Sequence, residues 1–186
     1  ILVGAPADAA VCQTVLSHLP DPIENLCGQT SIAEMAVLLE CCELLISNDT
    51  GAVHIASAVS TRCIGIYGSS AWFKETAPWG TGHIIVQAPI GSDLSTISVN
   101  DLISAFNASL SGSRVEAPLS DGVRVWVTAL DNRDPLGGLT YHALSDEIST
   151  TNEFARHFRT AFSMVLMAGD AAKTAEAASA EEADIL

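Results

Sequence analysis

Three short apolar stretches, spaced by segments of helical length, constrain this chain more than anything else in its sequence. Leu44-Leu45-Ile46-Ser47, Cys63-Ile64-Gly65-Ile66-Tyr67-Gly68 and Ile84-Ile85-Val86 are almost wholly apolar, as expected of strands buried on both faces of a parallel sheet. Between and around them lie candidate helices at residues 8–19, 32–42, 52–58 and 99–110. Strands of four to six residues alternating with helices of about ten form the βαβ pattern, which implies a Rossmann-like parallel sheet with flanking helices.

The local signals are mostly sharp. Ile1-Leu2-Val3 reads as a strand end running into the Gly4-Ala5-Pro6 loop. Residues 8–19 place Val11, Val15, Leu16 and Leu19 on one side of a helix, which Pro20-Asp21-Pro22 stops. Residues 23–26 supply a strand edge before a turn at Gly28. Ser31, with Glu34 three residues on, is a capping box, opening a helix whose broad apolar face holds Ile32, Met35, Ala36, Leu38 and Leu39. This domain is expected to span residues 1–110.

Residues 111–186 read as a separate extension of undetermined fold. Residues 123–127 alternate like a strand, 131–138 form a turn-rich loop, and 151–167 suit an amphipathic helix. An Ala/Glu-rich acidic tail follows from residue 171. The chain opens at Ile1 inside an apolar run, so it is expected to be part of a longer protein with a strand missing upstream.

Charge narrows the function classes. Twenty-two acidic residues face eight basic ones, a formal charge of −14, and Lys74 and Lys173 are the only lysines. A nucleic-acid backbone or an anionic membrane surface requires a basic face, so no nucleic-acid partner is expected. A small anion bound by helix-start N–H groups remains compatible with this charge. The five cysteines lack a Cys-x-x-Cys pair and read as free buried thiols rather than metal ligands. No apolar run reaches membrane-spanning length. Neither Gly-x-Gly-x-x-Gly nor a P-loop is present, so a dinucleotide dehydrogenase or P-loop enzyme lacks its anchor.

The sharpest chemical feature is Ser47-Asn48-Asp49-Thr50-Gly51-Ala52-Val53-His54. It joins a buried strand to a helix at the carboxyl edge of the sheet, where open α/β sheets bind ligands. Free N–H groups of Thr50, Gly51 and Ala52 would face a phosphate there. Gly51 lets the backbone approach closely, His54 could add a donor, and Asp49 could accept from sugar hydroxyls. The plainer alternative makes Asp49 or Thr50 only a cap and His54 a core residue. Ser69 and Ser70, after Gly68, leave the next strand at the same edge. Asp8 stands at a third such edge, either holding a ribose or serving as an ordinary helix-start acid. Ser31 reads first as a cap and Met35 first as core. Trp72, Phe73, Pro78 and Trp79 form either a lid or core filler.

Four blocks carry a resemblance. They are Asn25-Leu26-Cys27-Gly28-Gln29-Thr30-Ser31-Ile32-Ala33-Glu34-Met35-Ala36, the stretch from Leu45 through Asp49-Thr50-Gly51-Ala52-Val53-His54 to Ala58, Ile64-Gly65-Ile66-Tyr67-Gly68-Ser69-Ser70, and Ala77-Pro78-Trp79-Gly80. In order and spacing they closely resemble the heptosyltransferase family of glycosyltransferases, bacterial enzymes of lipopolysaccharide core assembly. The resemblance runs over about residues 1–110.

It implies the C-terminal, donor-binding half of a GT-B enzyme that transfers a sugar, heptose being expected, from an ADP-sugar to a lipopolysaccharide core acceptor with inversion. It further implies that Asp49 contacts donor-sugar hydroxyls, that Thr50 and Gly51 contact the diphosphate, and that His54 sits beside the phosphates. Asp8 falls near the ribose, where the family has the longer Glu. Ser31 and Met35 border the nucleotide. Ser69 is placed with the donor contacts, in Gly68-Ser69-Ser70 where the family more often shows Gly-Pro-Thr, so the hydroxyl is kept while the proline is lost.

No catalytic residue is expected in this chain, because the family's general base and acceptor site belong to the N-terminal domain. No metal or other cofactor is expected. The expected partners are the nucleotide sugar and that N-terminal domain, with any contact to a membrane-borne acceptor made through the latter. The expected location is the cytoplasm, at the inner face of the bacterial inner membrane. Alone, the chain is expected to bind nucleotide weakly and to be inactive. The alternative is a non-catalytic relative that retains the fold as a nucleotide-binding or interaction module.

Overall fold

The computed structural model describes residues 1–68, 72–131 and 138–145. They form one compact unit, Ile1–Ser145. Its centre is a five-stranded sheet of β1 (Leu44–Asn48), β2 (Arg62–Tyr67), β3 (Ile84–Gln87), β4 (Arg124–Asp131) and β5 (Gly138–Ala143), ordered β1-β2-β3-β4-β5. β1, β2 and β3 pair in parallel, with Ile46 beside Ile64 and Ile64 beside Ile84. This is the parallel core expected from the apolar runs.

The helices are α1 (Ala9–Ser17), α2 (Ile32–Glu40), α3 (Gly51–Ala58), the single turn α4 (Phe73–Thr76) and α5 (Val99–Ser111). The Ser31 capping box forms as read. Ser31 Oγ accepts from the Glu34 N–H, and the Ser31 N–H donates to the Glu34 carboxylate at 2.8 Å. That backbone donor and the Ser31 hydroxyl hold the Glu34 carboxyl below its usual range.

One apolar cluster joins α2 and α3 to β1 and β2 through Leu39, Val53, Ala56, Leu45 and Cys63, with Met35 and Ala52 packed against it. A second surrounds Ile64, Ile84, Val86 and Val125, with Ala105 of α5. The third is aromatic, with Tyr67, Trp72, Phe73 and Trp126 around Ile85.

Three elements depart from the sequence reading. The sheet continues past residue 110. β4 runs antiparallel to β3, pairing Trp126 with Ile85, and β5 pairs antiparallel with β4. Residues 124–143, read as part of an extension, thus contribute two strands to the same sheet, which is mixed rather than wholly parallel. The reason is tertiary, since the buried Val125 and Trp126 complete clusters begun by β2 and β3.

The opening strand is reduced to an isolated parallel bridge, Leu2 with Asn25, closed by the Leu2 N–H to Glu24 and the Leu26 N–H to Leu2. The stripe on α1 is not buried either. Val11 is 66% exposed, and Cys12 is the helix's buried residue. The proposed helix at 151–167 and the tail from 171 lie outside the described residues, as does most of the 131–138 loop.

All five cysteines are free. Cys12, Cys27 and Cys63 are buried as expected, whereas Cys41 is exposed and Cys42 half-buried.

Candidate functional site

The turn from β1 into α3 shapes the site. The Asp49 N–H donates to the Ile66 carbonyl at 3.0 Å, carrying the β1–β2 ladder one residue beyond the strand. Thr50 then adopts an extended backbone as the N-cap of α3, with Oγ1 accepting from the Ala52 N–H at 3.4 Å and meeting Ser47 Oγ at 3.2 Å. The cap is therefore Thr50, which leaves the Asp49 carboxylate to other partners.

Of the three N–H groups expected free, that of Ala52 is engaged by this cap. Those of Thr50 and Gly51 have no partner among the described residues. Two unpaired amides at the first turn of an eight-residue helix are the arrangement that attracts an anion, through their N–H dipoles and the positive end of the helix.

Gly51 shows how open this mouth is. A Cβ built on it meets nothing within 4 Å, and its backbone is not left-handed. Neither packing nor backbone conformation demands glycine there, and the missing Cβ leaves the backbone of this turn open to close approach. His54, one turn further, is exposed. The core role considered for it is thereby excluded, and its imidazole is open to solvent.

Asp49 is half-buried, and its Oδ2 accepts from Thr76 Oγ1 at 2.9 Å. Oδ1 has no partner among the described residues.

Behind this edge lies Gln87, 3% exposed, at the end of β3. Its Nε2 donates to the carbonyls of Gly68 at 2.9 Å, Ala88 at 3.2 Å and Tyr67 at 3.3 Å, while Oε1 accepts from the Phe73 N–H at 3.3 Å. One buried amide thus ties the exits of β2 and β3 to the start of α4. Sequence reasoning passed over Gln87 and Thr76, and no local signal marks either. Trp72, Phe73 and Pro78 are core, while Trp79 is 55% exposed, which resolves the choice between lid and filler for three of the four.

The remaining candidates occupy separate places. Asp8 is exposed and its Oδ2 accepts from the Ala5 N–H at 2.8 Å, closing the Gly4-Ala5 turn. That turn lies against the Cys27-Gly28 segment through the Gly28 N–H to Gly4 and Cys27 Sγ to the Ala5 carbonyl. Ser31 caps α2, and Met35 packs on the α2–α3 core beside Ala52, so both fill the structural roles read first for them. Ser69, with Ser70, lies outside the described residues. Among the described residues no hydrogen bond joins Asp8 or Ser31 to the Asp49–His54 turn, and no group of three potential metal ligands gathers anywhere.

Residues 1–100 match the family described as glycosyltransferase family 9 (heptosyltransferase). The chain belongs to this family. Within it, the segment is 29% identical over 83 residues to lipooligosaccharide heptosyltransferase 2 of Campylobacter jejuni, covering 42% of this chain and 26% of that protein. It is 32% identical over 75 residues to lipopolysaccharide heptosyltransferase 2 of Escherichia coli K12, covering 38% of this chain and 22% of the relative. The matched segment therefore spans about a quarter of these heptosyltransferases.

A solved glycosyl transferase of family 9 from Veillonella parvula shares the fold, with a TM-score of 0.55 at 22% identity, over 60% of this chain and 36% of that one. The heptosyltransferase resemblance drawn from the four blocks is thus borne out, as is the α/β fold with flanking helices. No helix among the described residues is long and apolar enough to cross a membrane.

Proposed function

We propose that this chain is the donor-binding half of a GT-B glycosyltransferase that moves heptose from ADP-heptose to a lipopolysaccharide core acceptor with inversion. The observation that carries the reading is the open mouth of α3. Thr50 and Gly51 present unpaired N–H groups there, and no packing reason requires glycine at position 51. Membership of a heptosyltransferase family supplies the chemical context.

In this mechanism the diphosphate rests on the Thr50 and Gly51 amides, with His54 adding a donor. Asp49 accepts hydrogen bonds from the sugar hydroxyls through Oδ1, and Asp8 faces the ribose. An acceptor hydroxyl, deprotonated by a base on the acceptor-binding half, attacks the anomeric carbon and breaks its bond to the ADP oxygen. The negative charge that develops on ADP is stabilised by the fixed amides and the helix end, which need no reorganisation as the bond breaks. The base and acceptor site belong to the partner domain, so this chain alone binds nucleotide without turning over.

Calorimetric titration with ADP tests the reading. Gly51→Ala should lower ADP affinity by about tenfold, a cost near 1.4 kcal/mol, while leaving the melting temperature unchanged because the new methyl meets only open space. His54→Ala should weaken binding in the same direction. Saturable binding that neither substitution touches would move the nucleotide away from this helix and sink the proposal.

A further inference from the structure

Thr76 makes the one side-chain hydrogen bond to the Asp49 carboxylate among the described residues, 27 positions away in sequence. We infer that Thr76 is a positioning residue, holding Oδ2 of Asp49 so that Oδ1 stays turned toward the hydroxyls of the donor sugar. The inference rests on the reading of Asp49 as the sugar contact.

An aspartate carboxyl rotates within a broad two-fold well. Left to itself it would present either oxygen over a range of angles. A bond to one oxygen removes that freedom and leaves the other as a directed acceptor. The anchor must itself be rigid to act in this way, and the structure around Thr76 is built for that. Thr76 ends the single turn α4, and Ala77 is extended because Pro78 follows it. The Ala77 N–H closes the turn on the Phe73 carbonyl at 2.7 Å.

Beneath the turn, Phe73 stacks on Trp126 at 4.4 Å between ring centroids and meets Tyr141 edge-on at 4.9 Å. Phe73, Tyr67 and Trp126 are at most 3% exposed, and the Tyr67 O–H donates to the Thr76 carbonyl at 3.4 Å. On the far side, Ser57 Oγ donates to the Trp79 carbonyl, fastening the same loop to α3. The strands that extend the sheet, β4 and β5, supply Trp126 and Tyr141. They therefore set the floor on which this hydroxyl is held.

The test is calorimetric titration of the chain with ADP and, separately, with ADP-heptose, because a sugar-directed role moves only the second. Thr76→Val keeps the side-chain shape and removes the hydroxyl. It should weaken ADP-heptose binding about five- to tenfold while ADP affinity stays within about twofold. Thr76→Ser, which restores the hydroxyl, should recover binding. In an Asp49→Ala background Thr76→Val should have no further effect, the non-additivity expected of residues acting through one another. Thr76→Ala serves as the second removal should the valine variant not fold.

Equal loss for both ligands, or a full additional loss in the Asp49→Ala background, would overturn the inference. Should Asp49→Ala weaken ADP-heptose while both hydroxyl removals are neutral, only the role of Thr76 fails. An Asp49→Ala variant that binds ADP-heptose normally removes the sugar-contact reading, and the role of Thr76 with it.

Discussion

Asp101 offers the most direct check on how the late strands are tied to the rest of the unit. It lies in the first turn of α5, 1% exposed, and accepts three hydrogen bonds. Oδ2 takes the Ser98 N–H at 2.7 Å and the Ser98 hydroxyl at 2.8 Å, and Oδ1 takes the Ser120 N–H at 2.8 Å. The last of these anchors the segment leading into β4.

Asp101→Asn keeps the shape but leaves one acceptor oxygen, so the amide nitrogen must face either Ser98 or Ser120, donor against donor. Losing one charge-assisted bond costs about 1.5–3 kcal/mol, and the remaining bonds weaken as the charge disappears. Removing the burial penalty of that charge offsets part of this, so a net destabilisation of about 2–4 kcal/mol is expected.

With a urea slope of about 2 kcal/mol/M, the unfolding midpoint should fall by roughly 1–2 M. Tryptophan fluorescence can follow it, since Trp72 and Trp126 are buried reporters. The pH dependence provides a second handle. Burial alone would push the Asp101 carboxyl up, but the donors from Ser120 and then Ser98 outweigh it and hold the group below its usual value. Its stabilisation is therefore complete above the unfolded value of about 3.9 and is lost as pH falls through the lower folded value. The gap between wild type and variant should accordingly narrow below about pH 4. A midpoint shift under about 0.3 M at neutral pH with an unchanged slope would refute the reasoning.

Two further outcomes follow from the same packing. Gly65→Ala places a methyl 2.6 Å from Cε2 of the fully buried Tyr67 ring, and should cost about 1–3 kcal/mol, a melting temperature lower by roughly 3–9 °C in thermal denaturation. An unchanged melting temperature would mean that the ring does not lie against β2 as described. Burial holds His83 below the usual imidazole value, against the opposing bond to the Trp79 backbone, so the folded state favours the neutral ring. Stability from this source is present above about pH 6.5 and declines as pH falls below it toward the depressed folded value. Urea midpoints measured from pH 7.5 down to 5 should show that decline, and His83→Gln should flatten it.

What the sequence determined by itself is the set of features written in contacts three or four residues long. The Ser31–Glu34 box, the helix following the 48–51 turn and the apolar runs of β1, β2 and β3 all follow from local capping and from the burial of continuous hydrophobic segments. The order and spacing of the four blocks further placed the chain in its family. The tertiary structure alone decided matters that depend on residues far apart.

Strands at 124–143 joined the sheet antiparallel because the clusters around Ile64 and Phe73 needed Val125 and Trp126 to close them, and no local pattern announces a partner 40 residues upstream. The same holds for Val11 and Val15, whose helical spacing promised burial, though they stand exposed in the described unit. It holds most for Asp49. Its position at a helix mouth was legible in eight consecutive letters, yet the orientation of its carboxylate is set by Thr76, which the sheet register and the aromatic floor bring within 2.9 Å. Local chemistry selects the groups at such a site, and long-range packing aims them.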